Sequence, residues 1–182
     1  MPPPLTPLTP GFTLIAEDTR MLKISQRTEY AMRAMLELAL RRSAGGDALV
    51  SARAIADAQH IPLRFLEQQL GALHKAGLVQ SFRGAGGGCK LARDPSAISV
   101  ADVVDAIEGP LYPMGCLRTD DHTCFQDSHC GVQELWTEVD LAIRQVFERT
   151  TVADLAERHR KRVESPVWAP SELLRPAKLG RH

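Results

Sequence analysis

No apolar run in the sequence approaches the roughly 18 residues that a membrane-crossing helix requires. The longest one near the N-terminus, FTLIA, is too short for the apolar stretch of a signal peptide. Nothing directs the chain outward, so a soluble, cytoplasmic protein with no membrane partner is expected. Cysteine is also sparse, with only Cys89, Cys116, Cys124 and Cys130 among 182 residues. In a reducing compartment, thiols that cluster are more often metal-binding or catalytic than structural. No serine, histidine and carboxylate set presents a nucleophile or an acid/base pair, and His60 and His74 read as cap and surface residues. An enzyme is therefore not expected. Charge of one sign is absent overall, since the formal net charge is zero. That balance hides a gradient: residues 21–93 carry 11 Lys or Arg against 5 Asp or Glu, and residues 94–182 carry 10 against 15. A polyanion would be drawn to the first part.

What is present begins with a proline-rich stretch. Five of the first ten residues are proline, which removes backbone donors and blocks helix formation. Residues 1–20 are read as a disordered leader or an upstream extension. SQRTEYAMRAMLELALRRS then reads as a helix, with apolar residues recurring at three and four, Ser25 as candidate cap and Gly45-Gly46 as its end. A short helix runs from the cap Ser51 to about Gln59. After a break at His60-Ile61, a second starts at Pro62, whose missing N–H is tolerated in a first turn. It presents Phe65, Leu66, Gln69, Leu70 and Leu73 and stops at Gly77. Such a pair resembles a helix-turn-helix.

LVQSF alternates as a strand, and RGAGGGCKLAR supplies a glycine-rich tip and a return strand, making a wing. A phosphate-binding P-loop competes, but the stretch lacks a GKS or GKT ending and no long helix follows. ISVADVVDAIEG reads as a helix with a capping-box pair, Ser99 and Asp102, ended by Gly109-Pro110. From Val132 an amphipathic stripe runs through Leu135, Trp136, Val139, Ala142, Ile143, Val146 and Phe147, too long for the preceding small domain to cover. Pairing of this helix between two subunits is expected, against the alternative that it docks on its own subunit. A shorter helix starts at Thr150 or Thr151.

The expected fold is mainly α with a small β-wing, a winged helix-turn-helix domain plus a long dimerisation helix. Its expected parts are the leader (1–20), the DNA-binding domain (21–97), a short helix with a cysteine-rich loop (98–131), the dimerisation helix with a following short helix (132–164) and a flexible tail (165–182). In the major groove, Arg64, Glu67 and Gln68 are the candidate base readers: Arg64 suits guanine or a phosphate, Glu67 cytosine N4 and Gln68 adenine. Arg83 on the wing would reach a phosphate or a narrow minor groove.

CLRTDDHTCFQDSHC packs three cysteines and two histidines into fifteen residues. Seven residues separate Cys116 from Cys124, and five separate Cys124 from Cys130. Structural zinc usually places two to four residues between its first cysteines. Wider gaps let a loop wrap something larger, such as an iron–sulfur cluster. Zinc completed by His122 and His129, a disulfide and a metal-free thiol switch remain alternatives.

Five features then carry a resemblance: MLKISQRTEYAMRAMLELA, IPLRFLEQQLGALHKAGLVQSFRGAGGGCKLA, ISVADVVDAIEG, the three cysteines and TTVADL. Over about Met21 to Arg158 the chain resembles the winged-helix iron–sulfur transcriptional regulators, a family containing the iron–sulfur cluster regulator, the nitric-oxide-sensitive repressor and the rhizobial iron regulator. The resemblance implies a homodimer on a double-stranded DNA operator with two-fold symmetry. It implies a 4Fe–4S or 2Fe–2S cluster held by Cys116, Cys124, Cys130 and a variable fourth ligand. In some members that ligand is a carboxylate at the start of the first helix, given by the partner subunit; the matching residue is Glu29, which otherwise reads as an ion pair with Arg33. Where other members have a histidine ligand this chain has Gln133, and Cys89 stands in place of a family tyrosine as a strand residue. Arg64 replaces a serine usual in the family. The function so implied is a regulator, a repressor, sensing iron, redox or nitric oxide status. The alternatives are a zinc- or thiol-dependent protein-interaction module and a DNA-binding regulator without a cluster.

Overall fold

A computed structural model of the chain describes residues 24–46, 48–84, 86–112, 117 and 130–165. The expected leader over 1–20 and the tail beyond 165 lie outside the described residues. The first helix, α1 (Gln26–Ser43), is the axis of the fold. Its Ala31, Ala34, Met35, Leu38 and Ala39 are all buried, and α2 (Ala52–Gln59), α3 (Leu63–Lys75), α4 (Val100–Glu108) and α6 (Val152–Glu164) all pack against it. The alanines give α1 a narrow profile, so several helices approach it closely. Met35, Leu66 and Leu73 fill the space between them with no exposure. Truncating any one to alanine would cost about 2–5 kcal/mol. One carboxylate, Glu37, is buried in this packing, and it is satisfied by Arg41 Nε at 2.6 Å and Gln59 Nε2 at 2.8 Å, which ties α1 to α2.

Local signals set the element ends. Ser51 Oγ accepts from the Ala54 amide at 3.1 Å to start α2. His60 ends α2 in the left-handed region, with φ 50° and ψ 46°, and this residue makes the turn between α2 and α3. Reciprocal capping boxes start both α4, with Ser99 and Asp102, and α6, with Thr151 and Asp154. These two starts are bridged, the Val100 amide donating to Thr150 O at 2.8 Å and the Val152 amide to Ile98 O at 2.9 Å. As a result α6 returns to α1, while α5 (Gln133–Arg149) lies along α4 and buries no residue.

The wing is an antiparallel pair, β1 (Val79–Phe82) and β2 (Gly88–Leu91), in register Val79 with Leu91 and Phe82 with Gly88. Val50 adds a bridge on the far side of β2, exchanging amide and carbonyl with Cys89 at 2.9 and 2.8 Å. That bridge explains one glycine: a Cβ on Gly88 would sit 2.7 Å from the Val50 carbonyl oxygen. Gly86, by contrast, has nothing within 4 Å of a built Cβ. Gly88→Ala should therefore lower stability by about 1–3 kcal/mol, whereas Gly86→Ala should stay within about 0.5 kcal/mol of the parent; chemical denaturation of the two variants side by side checks the contrast.

Candidate DNA-reading surface and cysteine site

The inner face of α3 is Leu66, Gln69, Leu70 and Leu73, all buried. Gln69 pairs its amide with its own helix, Nε2 donating to Phe65 O at 3.3 Å. Arg64, Glu67 and Gln68 are exposed and share the outer face, since residues three and four apart are neighbours on a helix. Arg64 therefore stands one turn ahead of the other two. Phe65, expected on the inner face, is instead 39% exposed. It lies about a quarter turn round from Leu66, at the edge of the buried stripe. Arg83 is exposed just beyond β1, next to an exposed Phe82.

Cys89 faces inward from β2, buried, with its thiol donating to Val50 O at 3.4 Å. Burial pushes that thiol up to about 11, so at neutral pH it is protonated and a poor metal ligand. Cys116 and Cys124 lie outside the described residues, as do His122 and His129. Cys130 is half-buried at the root of α5, where its carbonyl accepts from the Gln133 amide at 3.2 Å. Among the described residues no group of three or more His, Cys, Asp or Glu is placed to hold a metal ion. Glu29 stands in the first turn of α1, its side chain 60% exposed and 3.5 Å from Arg33. Arg33 also donates to the carbonyl of Gln59, at the turn of the helix pair.

A residue outside the sequence expectations joins these parts. Ser25, the expected cap of α1, makes no side-chain cap bond of its own. The carboxylate of Glu108, the last residue of α4, binds the start of α1 instead. It accepts from the Ser25 amide at 3.2 Å, from Ser25 Oγ and from Thr28 Oγ1, with Arg27 at 3.5 Å. Burial alone would raise the pKa of this carboxyl; the hydrogen bonds from Ser25 and Thr28, helped by Arg27, outweigh it and lower the pKa below the ordinary glutamate value. Glu108 immediately precedes Gly109 and the segment that leads to Cys116. The root of the cysteine segment is thus fastened to the turn of α1 that carries Glu29. No local pattern marks this, because the two partners are 80 and 83 residues apart.

Known proteins share this fold. The Rrf2 family, described as iron-dependent transcriptional regulator, matches residues 24–158. The chain belongs to the Rrf2 family of transcriptional regulators. It is 35% identical over 135 residues to the HTH-type transcriptional regulator CymR of Bacillus subtilis strain 168, across 74% of this chain and 90% of CymR. The solved structure of that CymR, described as the global cysteine regulator of B. subtilis, superposes with a TM-score of 0.61 over 76% of this chain and 98% of CymR, at 35% identity. T. potens IscR superposes with a TM-score of 0.58 at 29% identity, over 83% and 96% of the two chains. Within this Rrf2 frame the helical fold with its two-stranded wing is the family's winged-helix fold.

Glu108 yields a prediction with a defined sign. A carboxylate whose pKa is lowered by folding stabilises above its unfolded pKa, and the contribution is lost as pH falls through the folded value. Glu108→Gln should cost roughly 1–2 kcal/mol at neutral pH, the scale of hydrogen bonds to a charged group. The deficit should shrink once the solution is acidified below the ordinary carboxylate range, as thermal melting of parent and variant across pH would record.

Proposed function

We propose that this Rrf2 regulator is a homodimeric repressor whose affinity for a two-fold symmetric double-stranded DNA operator is set by an iron–sulfur cluster. The observation that carries the reading is the fastening of Glu108, which leads into the cysteine segment, to α1, the helix on which α3 packs. Arg64, Glu67 and Gln68 serve as base readers, and Arg83 as the wing contact to the backbone or minor groove. Dimerisation through α5 is supported by its unburied apolar stripe. Ile143 and Phe147 face Ala101 and Val104 of α4, while Val132, Leu135 and Val146 remain exposed. With Val139 and Ala142 these fall at alternating spacings of three and four, the seam of a paired helix. Leu135→Asp combined with Val146→Asp should yield a folded monomer by sedimentation with at least about tenfold weaker operator binding.

Cys116, Cys124, Cys130 and Glu29 would hold the cluster, which when bound supplies iron that is open to oxidation, attack or loss. The donor chemistry fits. Glu29 is exposed, and Arg33, if it gives up Glu29, keeps the Gln59 carbonyl as a partner. A carboxylate is a hard, weaker partner than thiolate for such iron, so the Glu29 position is the labile one. An ordered cysteine segment anchored by Glu108 would hold the two α3 helices near the roughly 34–36 Å that successive half-sites require. Protein reconstituted anaerobically should be brown, contain iron and sulfide, and bind DNA more tightly than apo protein at fixed salt; equal affinities would remove the switch. Glu29→Ala should change the visible spectrum or shorten cluster lifetime in air, and an unchanged cluster would remove Glu29 as ligand.

The likeness to CymR, named for cysteine regulation, favours a second reading: a DNA-binding regulator of this family that responds without a cluster. Colourless anaerobic protein lacking iron would support it, and colourless protein with one zinc per chain would support the zinc alternative.

A further inference from the structure

Arg64 and Phe65 are neighbours at the start of α3, so their side chains leave the helix about 100° apart. The Arg64 guanidinium nevertheless lies over the Phe65 ring, its central carbon 4.8 Å from the ring centroid. That is within the roughly 6 Å reach of a cation–π contact. The Phe65 ring is in turn 6.5 Å from that of Tyr30 on α1, tilted by 38°, an ordinary separation for aromatic pairs. Three planar groups on two helices therefore stand in sequence, Tyr30, Phe65 and Arg64. Phe65 is not needed to close the core beneath α3, which Leu66, Leu70 and Leu73 already fill. Arg64 makes no ion pair or hydrogen bond among the described residues, and a stack over its face leaves its N–H edge available.

A flexible arginine must lose rotamer freedom to read a base, and that loss weakens binding. A side chain already laid on a ring has lost much of it beforehand. We propose that Phe65, braced by Tyr30, is a positioning residue for sequence reading: it holds Arg64 so that the guanidinium edge meets a guanine in each operator half-site. The inference rests on Arg64 reading DNA, and the test separates the two.

Binding sites are selected from a pool of duplexes with a randomised core, using the full chain prepared anaerobically as wild type, Arg64→Ala, Phe65→Leu, Phe65→Tyr, Tyr30→Leu and the Arg64→Ala/Phe65→Leu double variant. Arg64→Ala should flatten guanine preference at one position per half-site by about fivefold or more. Phe65→Leu should weaken preference at that same position by about threefold, with Tyr30→Leu following in smaller measure. Phe65→Tyr, which keeps the ring, should retain the wild-type motif. In the Arg64→Ala background Phe65→Leu should change nothing further at that position. A Phe65→Leu protein that binds every sequence equally less well, with the motif intact, would show Phe65 to be merely structural and overturn the inference. A motif unaltered by Arg64→Ala would instead remove Arg64 as a reader, and the positioning role with it.

Discussion

Burial of α1 on nearly every side is the constraint on which the other elements depend. Ala31, Ala34, Met35, Leu38 and Ala39 are buried together on one eighteen-residue helix, and α2, α3, α4 and α6 each use that helix as a wall. A helix so enclosed moves as a body or not at all, because close-packed interiors transmit displacement rather than absorb it. A change imposed at one end of α1 is therefore felt by α3, the helix proposed to read DNA. The end in question is the N-terminal one, where Glu108 of α4 holds Ser25 and Thr28 through its carboxylate.

The first two turns of α1 concentrate groups that serve different neighbours. Thr28 faces Glu108 and the root of the cysteine segment. Tyr30 meets Phe65 at the start of α3. Glu29 pairs with Arg33, and Arg33 reaches the Gln59 carbonyl beside the left-handed His60 that turns the helix pair. Contacts toward the cysteine segment and toward α3 thus arise from neighbouring residues of one rigid element. Cys89 stands apart from this: it lies inside the wing, where burial raises its pKa and it serves packing.

What could be read from the sequence was what local chemistry decides. Ser51, the Ser99–Asp102 pair and the glycine wing announced their elements, because caps and positive-φ turns depend on residues only a few positions apart. Thr151 was legible as a helix start for the same reason, and the structure adds its partner Asp154. The outer face of α3 was legible too, since helical periodicity sorts Arg64, Glu67 and Gln68 from Leu66, Leu70 and Leu73. Phe65 was misplaced on the inner face because it sits at the margin of the stripe, where a distant ring on α1 rather than periodicity settles its environment. Glu108, the return of α6 to α1 and the Val50 bridge that requires Gly88 all join residues far apart in the chain, and no local pattern encodes such meetings. The cysteine segment was legible only as a donor set, with Cys116 and Cys124 outside the described residues.

Magnitudes restrict how such a regulator switches. Moving a two-state protein from almost wholly one form to almost wholly the other takes about 5.5 kcal/mol of differential interaction. The Glu29–Arg33 pair, exposed and 3.5 Å apart, is worth only about 0.2–1 kcal/mol. Releasing it cannot supply the difference, nor can the loss of the Glu108 hydrogen bonds at about 1–2 kcal/mol. In the proposed dimer most of the difference would have to come from geometry shared between two subunits: with half-sites one helical turn apart, a small change in the separation of two α3 helices would forfeit one full set of base and phosphate interactions. Affinity falls further with every phosphate the protein ceases to neutralise. The exposed stripe of α5, which would set that separation, is therefore where modest local energies become a large change in occupancy.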